Sequence, residues 1–168
     1  MSAGAIIVLA LLVFIGITIF KGVRIVPQGY KWIVQRLGKY HTTLSPGLNF
    51  VIPYVDEVAY KITTKDIVLD IPSQEVITRD NAVLVMNAVA YINLTTPEKA
   101  VYGIENYTWA IQNLVQTSLR SIVGEMDLDD ALSSRDHIKA KLKAAISDDI
   151  ADWGITLKTV EIQDIQPS

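Results

Sequence analysis

Glu125, Asp127, Asp129 and Asp130 crowd four carboxylates into six residues, so a divalent cation is the first chemistry to consider. A calcium loop needs Gly at its sixth position and Glu at its twelfth. Counted from Asp127, those positions hold Leu132 and Ile138, and acidic capping of a short helix accounts for the cluster better. A membrane-bound hydrolase using Asp127, Asp129 and Asp130 is the catalytic alternative. His41 and His137 lie far apart, with no ligand or nucleophile at motif spacing. The nine glycines form neither GxGxxG nor GxxxxGK[ST], no GxSxG occurs, and there is no Cys. No catalytic, metal or cofactor residue is assigned.

The chemistry that the sequence does offer is interfacial. Leu44-Ser-Pro-Gly-Leu-Asn-Phe-Val-Ile-Pro-Tyr54 contains two prolines and a Gly, which deny it a regular helix or a place inside a sheet. Leu48, Phe50, Val51, Ile52, Pro53 and Tyr54 are too apolar for an ordinary surface loop. One reading is a wedge resting in the interfacial layer of a bilayer, with Lys21 and Arg24 pairing anionic lipid phosphates. The other is a loop folded into the domain's own core.

A second pattern concerns assembly. Lys139, Lys141 and Lys143 precede Asp148, Asp149 and Asp152 on one predicted helix, opposite to the order its dipole favours. Either this is a solvated face, or Lys139 and Lys143 of one copy meet Asp148 and Asp152 of the next. Head-to-tail contacts of the latter kind close rings of identical subunits.

Both patterns need elements to position them. The first twenty residues carry no charge, and Ala3–Phe20 is apolar or small apart from a single Thr. As a helix, this run would be about 27 Å long, close to a bilayer's hydrocarbon core, with Ile6, Leu9, Leu12, Phe14, Ile17 and Phe20 spanning it. A cleaved signal would want basic residues ahead of the run and small ones behind it, whereas Lys21-Gly-Val-Arg24 follows. The run therefore reads as a retained anchor, and the positive-inside rule places the N-terminus outside and the remainder in the cytoplasm. Residues 21–55 hold five basic side chains and no acid, while residues 56–168 sum to −8. A basic collar beside an acidic body suits anionic lipid and argues against nucleic acid.

Beyond the collar the pattern is α+β. Strands are expected at Trp32–Leu37, at Val58–Ile62 and at Ile67–Ile71, the last ended by Pro72. Gln74–Thr78 and Ala82–Leu94 then fold about Asp80-Asn81. Thr96-Pro97-Glu98 starts a short helix that ends near Gly103. A second helix runs from Asn106 to Gly124 with Ile111, Val115, Leu119 and Ile122 on its stripe. A third follows Ser133, which forms a capping box with Asp136. A last strand, Ile155–Ile165, slips phase and predicts a bulge at Lys158-Thr159. The divisions expected are residues 1–22, an anchor; 23–95, a β-rich membrane-proximal part; and 96–168, an α/β part.

Val26-Pro-Gln-Gly-Tyr30, Gln35-Arg-Leu-Gly-Lys-Tyr40, Leu44–Pro53, Thr78-Arg-Asp-Asn81 and Gly154–Ile165 occur in the order and at the separations of one family. From Val26 onward the chain resembles the stomatin/prohibitin/flotillin group, also called the SPFH or band 7 domain, in its bacterial stomatin-like branch. The resemblance implies a non-enzymatic scaffold that forms large homo-oligomers around a membrane patch, in a bacterial inner membrane. Membrane proteases and small membrane partners of the NfeD type are the associates it implies. An adaptor that tethers one such partner without a large assembly is the alternative. Members usually continue into a long, Ala- and Glu-rich helix; this sequence ends at Gln166-Pro-Ser168 and carries no heptad repeat.

Overall fold

The computed structural model describes all 168 residues and divides into two compact units, Met1–Thr64 and Lys65–Ser168. In the first unit, the apolar run forms α1 (Ala3–Gly22), its start capped by the Ser2 hydroxyl, which accepts from Ala5 N. One strand leaves it directly and joins a two-stranded ribbon. β1 (Val23–Val26) pairs antiparallel with β4 (Gly47–Phe50). A three-stranded sheet ordered β3-β2-β5 completes the unit, from β2 (Tyr30–Arg36), β3 (Lys39–Leu44) and β5 (Asp56–Thr63). Val26, Val34 and Leu44 form its small core, with Trp32, Val51 and Val58 packed against them.

In the second unit, the sheet is ordered β6-β7-β8, from β6 (Ile67–Ile77), β7 (Val83–Asn93) and β8 (Thr156–Pro167). Between β7 and β8 come α2 (Pro97–Tyr102), α3 (Tyr107–Gly124), α4 (Leu128–Ser133) and α5 (Arg135–Ala151). α3 packs on β6 and on α5, and α5 packs on β8. The α5 stripe Ile138, Leu142, Ile146 and Ile150 is fully buried, as are Leu84, Met86 and Ile92 of β7. Asn106 caps α3 by accepting from Trp109 N at 3.1 Å.

The architecture is α+β, as the pattern implied, but several details differ. The division between the two β/α parts lies at Thr64/Lys65, not near residue 95. β6 and β7 belong with the helices because β7 pairs along its length with β8, some seventy residues downstream. Pro72 does not end its strand. It sits in an irregularity between Ile71 and Gln74 on an edge strand, where a missing N–H breaks no ladder bond. Ser133 forms no capping box, because it closes α4 and donates to Asp129 O; Ser134 stands at the α5 N-cap instead. The bulge at Lys158 is present, with Tyr91 opposite Thr159 and Ile92 opposite Leu157.

The acidic cluster has structural work of its own. Arg79 pairs with Asp127 through two bonds of 3.1 and 2.7 Å. Asp80 accepts from Thr78 Oγ1 and from Leu128 N, so it caps α4 from the β6–β7 turn. Asn81 turns that hairpin with φ +65°, a conformation Asn tolerates well. Thr78-Arg-Asp-Asn81 is thus a latch between a hairpin and a helix start.

Candidate membrane-facing surface

α1 is exposed along its length except at Thr18 and Gly22, and its best 18-residue window has a mean hydropathy of 2.9. Ile6, Leu9, Leu12, Phe14, Ile17 and Phe20 are all exposed along it. Twenty residues rise about 30 Å, the thickness of a bilayer's hydrocarbon core. By length and composition, α1 is a candidate membrane anchor. Its C-terminus is finished by Arg24, whose Nη1 donates to the carbonyls of Lys21 and Val23. A cation there satisfies orphan carbonyls and complements the dipole. Lys21 is exposed, whereas Arg24 is half-buried and works first as a helix cap.

The apolar surface continues past the helix. Cross-strand partners share a face of a ribbon, so Val23, Ile25, Leu48 and Phe50 line one side of β1–β4. Ile25, Leu48 and Phe50 are 64–70% exposed, leaving that face bare. The opposite face carries Arg24, Val26 and Asn49. The ribbon was missed in the sequence because each strand is only four residues long, yet the alternation of Val23 and Ile25 with Arg24 was the available signal.

The chain then turns back toward α1. Val51 N donates to Gly22 O at 2.8 Å, and the Val51 side chain enters the small core. Pro53 is half-buried, while Ile52 and Tyr54 are exposed. Folding into the core therefore describes Val51, but not Leu48, Phe50, Ile52 or Tyr54. The Tyr54 ring stacks on Phe14, with centroids 6.0 Å apart and planes 4° apart. Its hydroxyl lies 2.9 Å from Thr18 Oγ1, which donates to Phe14 O and so accepts from Tyr54. Thr18 and Phe14 stand four and eight residues before the helix end, so Tyr54 reaches about 6 to 12 Å down α1.

An ion pair that sequence reading missed holds this turn. Asp56, whose side chain is 2% exposed, takes Arg36 Nε at 2.7 Å and Nη2 at 3.1 Å, and also accepts from Ile52 N at 2.9 Å. The Arg36 bonds, helped by the Ile52 amide, lower the Asp56 carboxyl from its ordinary 3.8 to about 2. A depressed carboxylate stabilises the fold above its unfolded pKa, and that contribution fades as pH falls from about 4 toward 2. Asp56→Asn is expected to cost about 2 kcal/mol at neutral pH, since it weakens bonds to a charged group. In thermal denaturation, the gap between parent and variant should close between pH 4 and pH 2; a gap that persists there would show that the pair is not its source.

Of the four residues expected between subunits, Lys139, Lys143 and Asp148 lie on α5 and Asp152 is its C-cap. Lys139 Nζ pairs with Glu161 at 2.6 Å, and Lys143 Nζ approaches Lys158 O at 3.4 Å, both within the chain. Asp148 and Asp152 are exposed. Any contact between copies through Lys139 would therefore compete with Glu161. Elsewhere in this unit Trp109, 64% exposed, lines an open pocket of about 430 Å³ with Ile104, Glu105, Asn106 and Ala110. Its place off the α3 stripe was the signal overlooked.

The model of the SPFH domain / Band 7 family matches residues 24–168. An uncharacterized protein of Mycobacterium tuberculosis is 36% identical over 165 residues, covering 98% of this chain and 43% of that protein. One from Methanocaldococcus jannaschii is 41% identical over 149 residues, covering 89% of this chain and 74% of that protein. Human mitochondrial stomatin-like protein 2 is 38% identical over 143 residues, covering 85% of this chain and 40% of that protein. The chain thus spans less than half the length of the mycobacterial and human relatives.

Proposed function

The chain belongs to the SPFH domain / Band 7 family, and on that footing we propose that it is a membrane-anchored scaffold. Its first unit rests in one leaflet, and its copies assemble to confine or regulate other membrane proteins. The observation that carries this is the bare face of Ile25, Leu48 and Phe50, continuous with the end of an anchor-length helix and followed by Ile52 and Tyr54. Such a surface has an occupant when acyl chains cover it. Lys21 and Lys39, both exposed, favour anionic lipid, and the acidic remainder disfavours nucleic acid. The proposed setting is a bacterial inner membrane, with the N-terminus outside and the domain cytoplasmic. Membrane proteases and NfeD-type membrane proteins are the partners proposed, and the role is non-enzymatic.

A second reading, an adaptor that docks one partner without a large assembly, draws on Trp109, because exposed Trp residues beside pockets often anchor interfaces. Particle size separates the two. Solubilised in mild detergent with α1 intact, the scaffold should run as a particle of many subunits, and an adaptor as a monomer or dimer. Lys143→Glu should shrink the scaffold particle, and adding Asp148→Lys should restore it. A size indifferent to both changes would remove α5 from the subunit contact.

A further inference from the structure

We infer that Leu37, at the tip of the β2–β3 hairpin, is a second lipid-inserting element, separate from the 48–54 segment. This rests on the membrane reading above and extends it to a residue outside that segment. Leu37 and Gly38 both have positive φ, +52° and +82°. Two such residues make the tight turn that suits a hairpin's twist, and Asn, Asp or Gly normally occupy the first of them. A Leu there is disfavoured because its Cβ crowds the backbone.

The Leu37 side chain does not repay that disfavour by packing within the fold. Leu37 is 81% exposed, so its side chain packs against little of its own chain. Strain held at an exposed apolar residue points to an occupant outside the chain. The location says which occupant. Leu37 N donates to Val55 O at 3.0 Å, beside the segment bearing Ile52 and Tyr54. Its neighbour Arg36 binds Asp56, which also holds Ile52 N. The tip is thereby fixed to the turn whose Tyr54 lies along α1. The exposed Lys39 stands two residues on from Leu37, and a leucine beside a free cation fits acyl chains beneath anionic phosphates.

The chain contains no cysteine, so single labels can be placed without background. Leu37→Cys, Ile52→Cys and Asp148→Cys would each carry a nitroxide on the full chain. The host would be vesicles of phosphatidylcholine and phosphatidylglycerol. Oxygen partitions into lipid and a nickel chelate stays in water, so their relative relaxation of the label reads depth. The label at 37 should favour oxygen, as should that at 52, while the label at 148 should favour nickel. A nickel-favouring label at 37 overturns the inference. The label at 52 then shows whether the wider membrane reading falls with it. Leu37→Asn supplies an independent check: its thermal midpoint should be no lower than the parent's, since Asn enters this turn more readily. A lowered midpoint would mean that Leu37 packs within the fold and would overturn the inference.

Discussion

Replacing Phe50 and Ile52 together by Asp is expected to release residues 21–168 from anionic vesicles, with a fall in partition coefficient of about 100-fold. Each side chain is about half to two-thirds exposed. Covering such an area with acyl chains contributes about 1–2 kcal/mol per residue, and an Asp in its place adds the cost of dehydrating a carboxylate. Two sites together reach about 3 kcal/mol, or roughly two powers of ten. Both side chains point away from the unit's core, so the variant should keep its circular dichroism and melting midpoint. Flotation with vesicles of 30% anionic lipid reads the partition. Unchanged flotation would return the segment to an ordinary, if greasy, loop.

Gly22→Ala should lower the melting midpoint of the detergent-solubilised chain by several degrees, through a loss of about 2 kcal/mol. A Cβ on Gly22 would stand 2.5 Å from Val51 O, a backbone atom that cannot swing aside. Relieving the clash means breaking the Val51 N to Gly22 O bond, which joins the end of α1 to the apolar turn. Gly16→Ala is the matched control, because nothing lies within 4 Å of its Cβ and Ala favours a helix. Equal midpoints for the two variants would mean that α1 and the 51–54 turn do not touch.

What the sequence revealed, and what it hid, follows from how local each signal is. α3 and α5 were legible because the recurrence of Ile111, Val115 and Leu119, and of Ile138, Leu142 and Ile146, is set within one helix. The bulge at Lys158 was legible because the alternation slips between Leu157 and Val160. A second irregularity, opposite Asn87 and Ala88, leaves the same trace between Ile162 and Ile165, and was overlooked. The division at Thr64 was not legible, because β6 and β7 choose β8 as their partner and pairing across seventy residues leaves no mark in either segment. The Pro72 rule failed for a related reason: it depends on whether a strand is at an edge.

For the site, residue types carried the anchor and the 48–54 segment, whose apolarity is hard to reconcile with a loop. They did not carry the Arg36–Asp56 pair, twenty residues apart, nor the bare face that Ile25 shares with Leu48. Leu37 was hidden most completely. Leu-Gly reads as any turn, and only the backbone shows a branched apolar residue held at positive φ in the open. Lys139 and Lys143 show the converse. Their charge order invited an intermolecular reading, and the fold supplies both with partners inside the chain.

The most direct test is flotation of unmodified residues 21–168, without the apolar run, against vesicles of phosphatidylcholine alone and with phosphatidylglycerol. The folded fragment should rise with the anionic vesicles and bind the neutral ones more weakly. A folded fragment that stays at the bottom of both gradients would contradict a lipid-bound first unit.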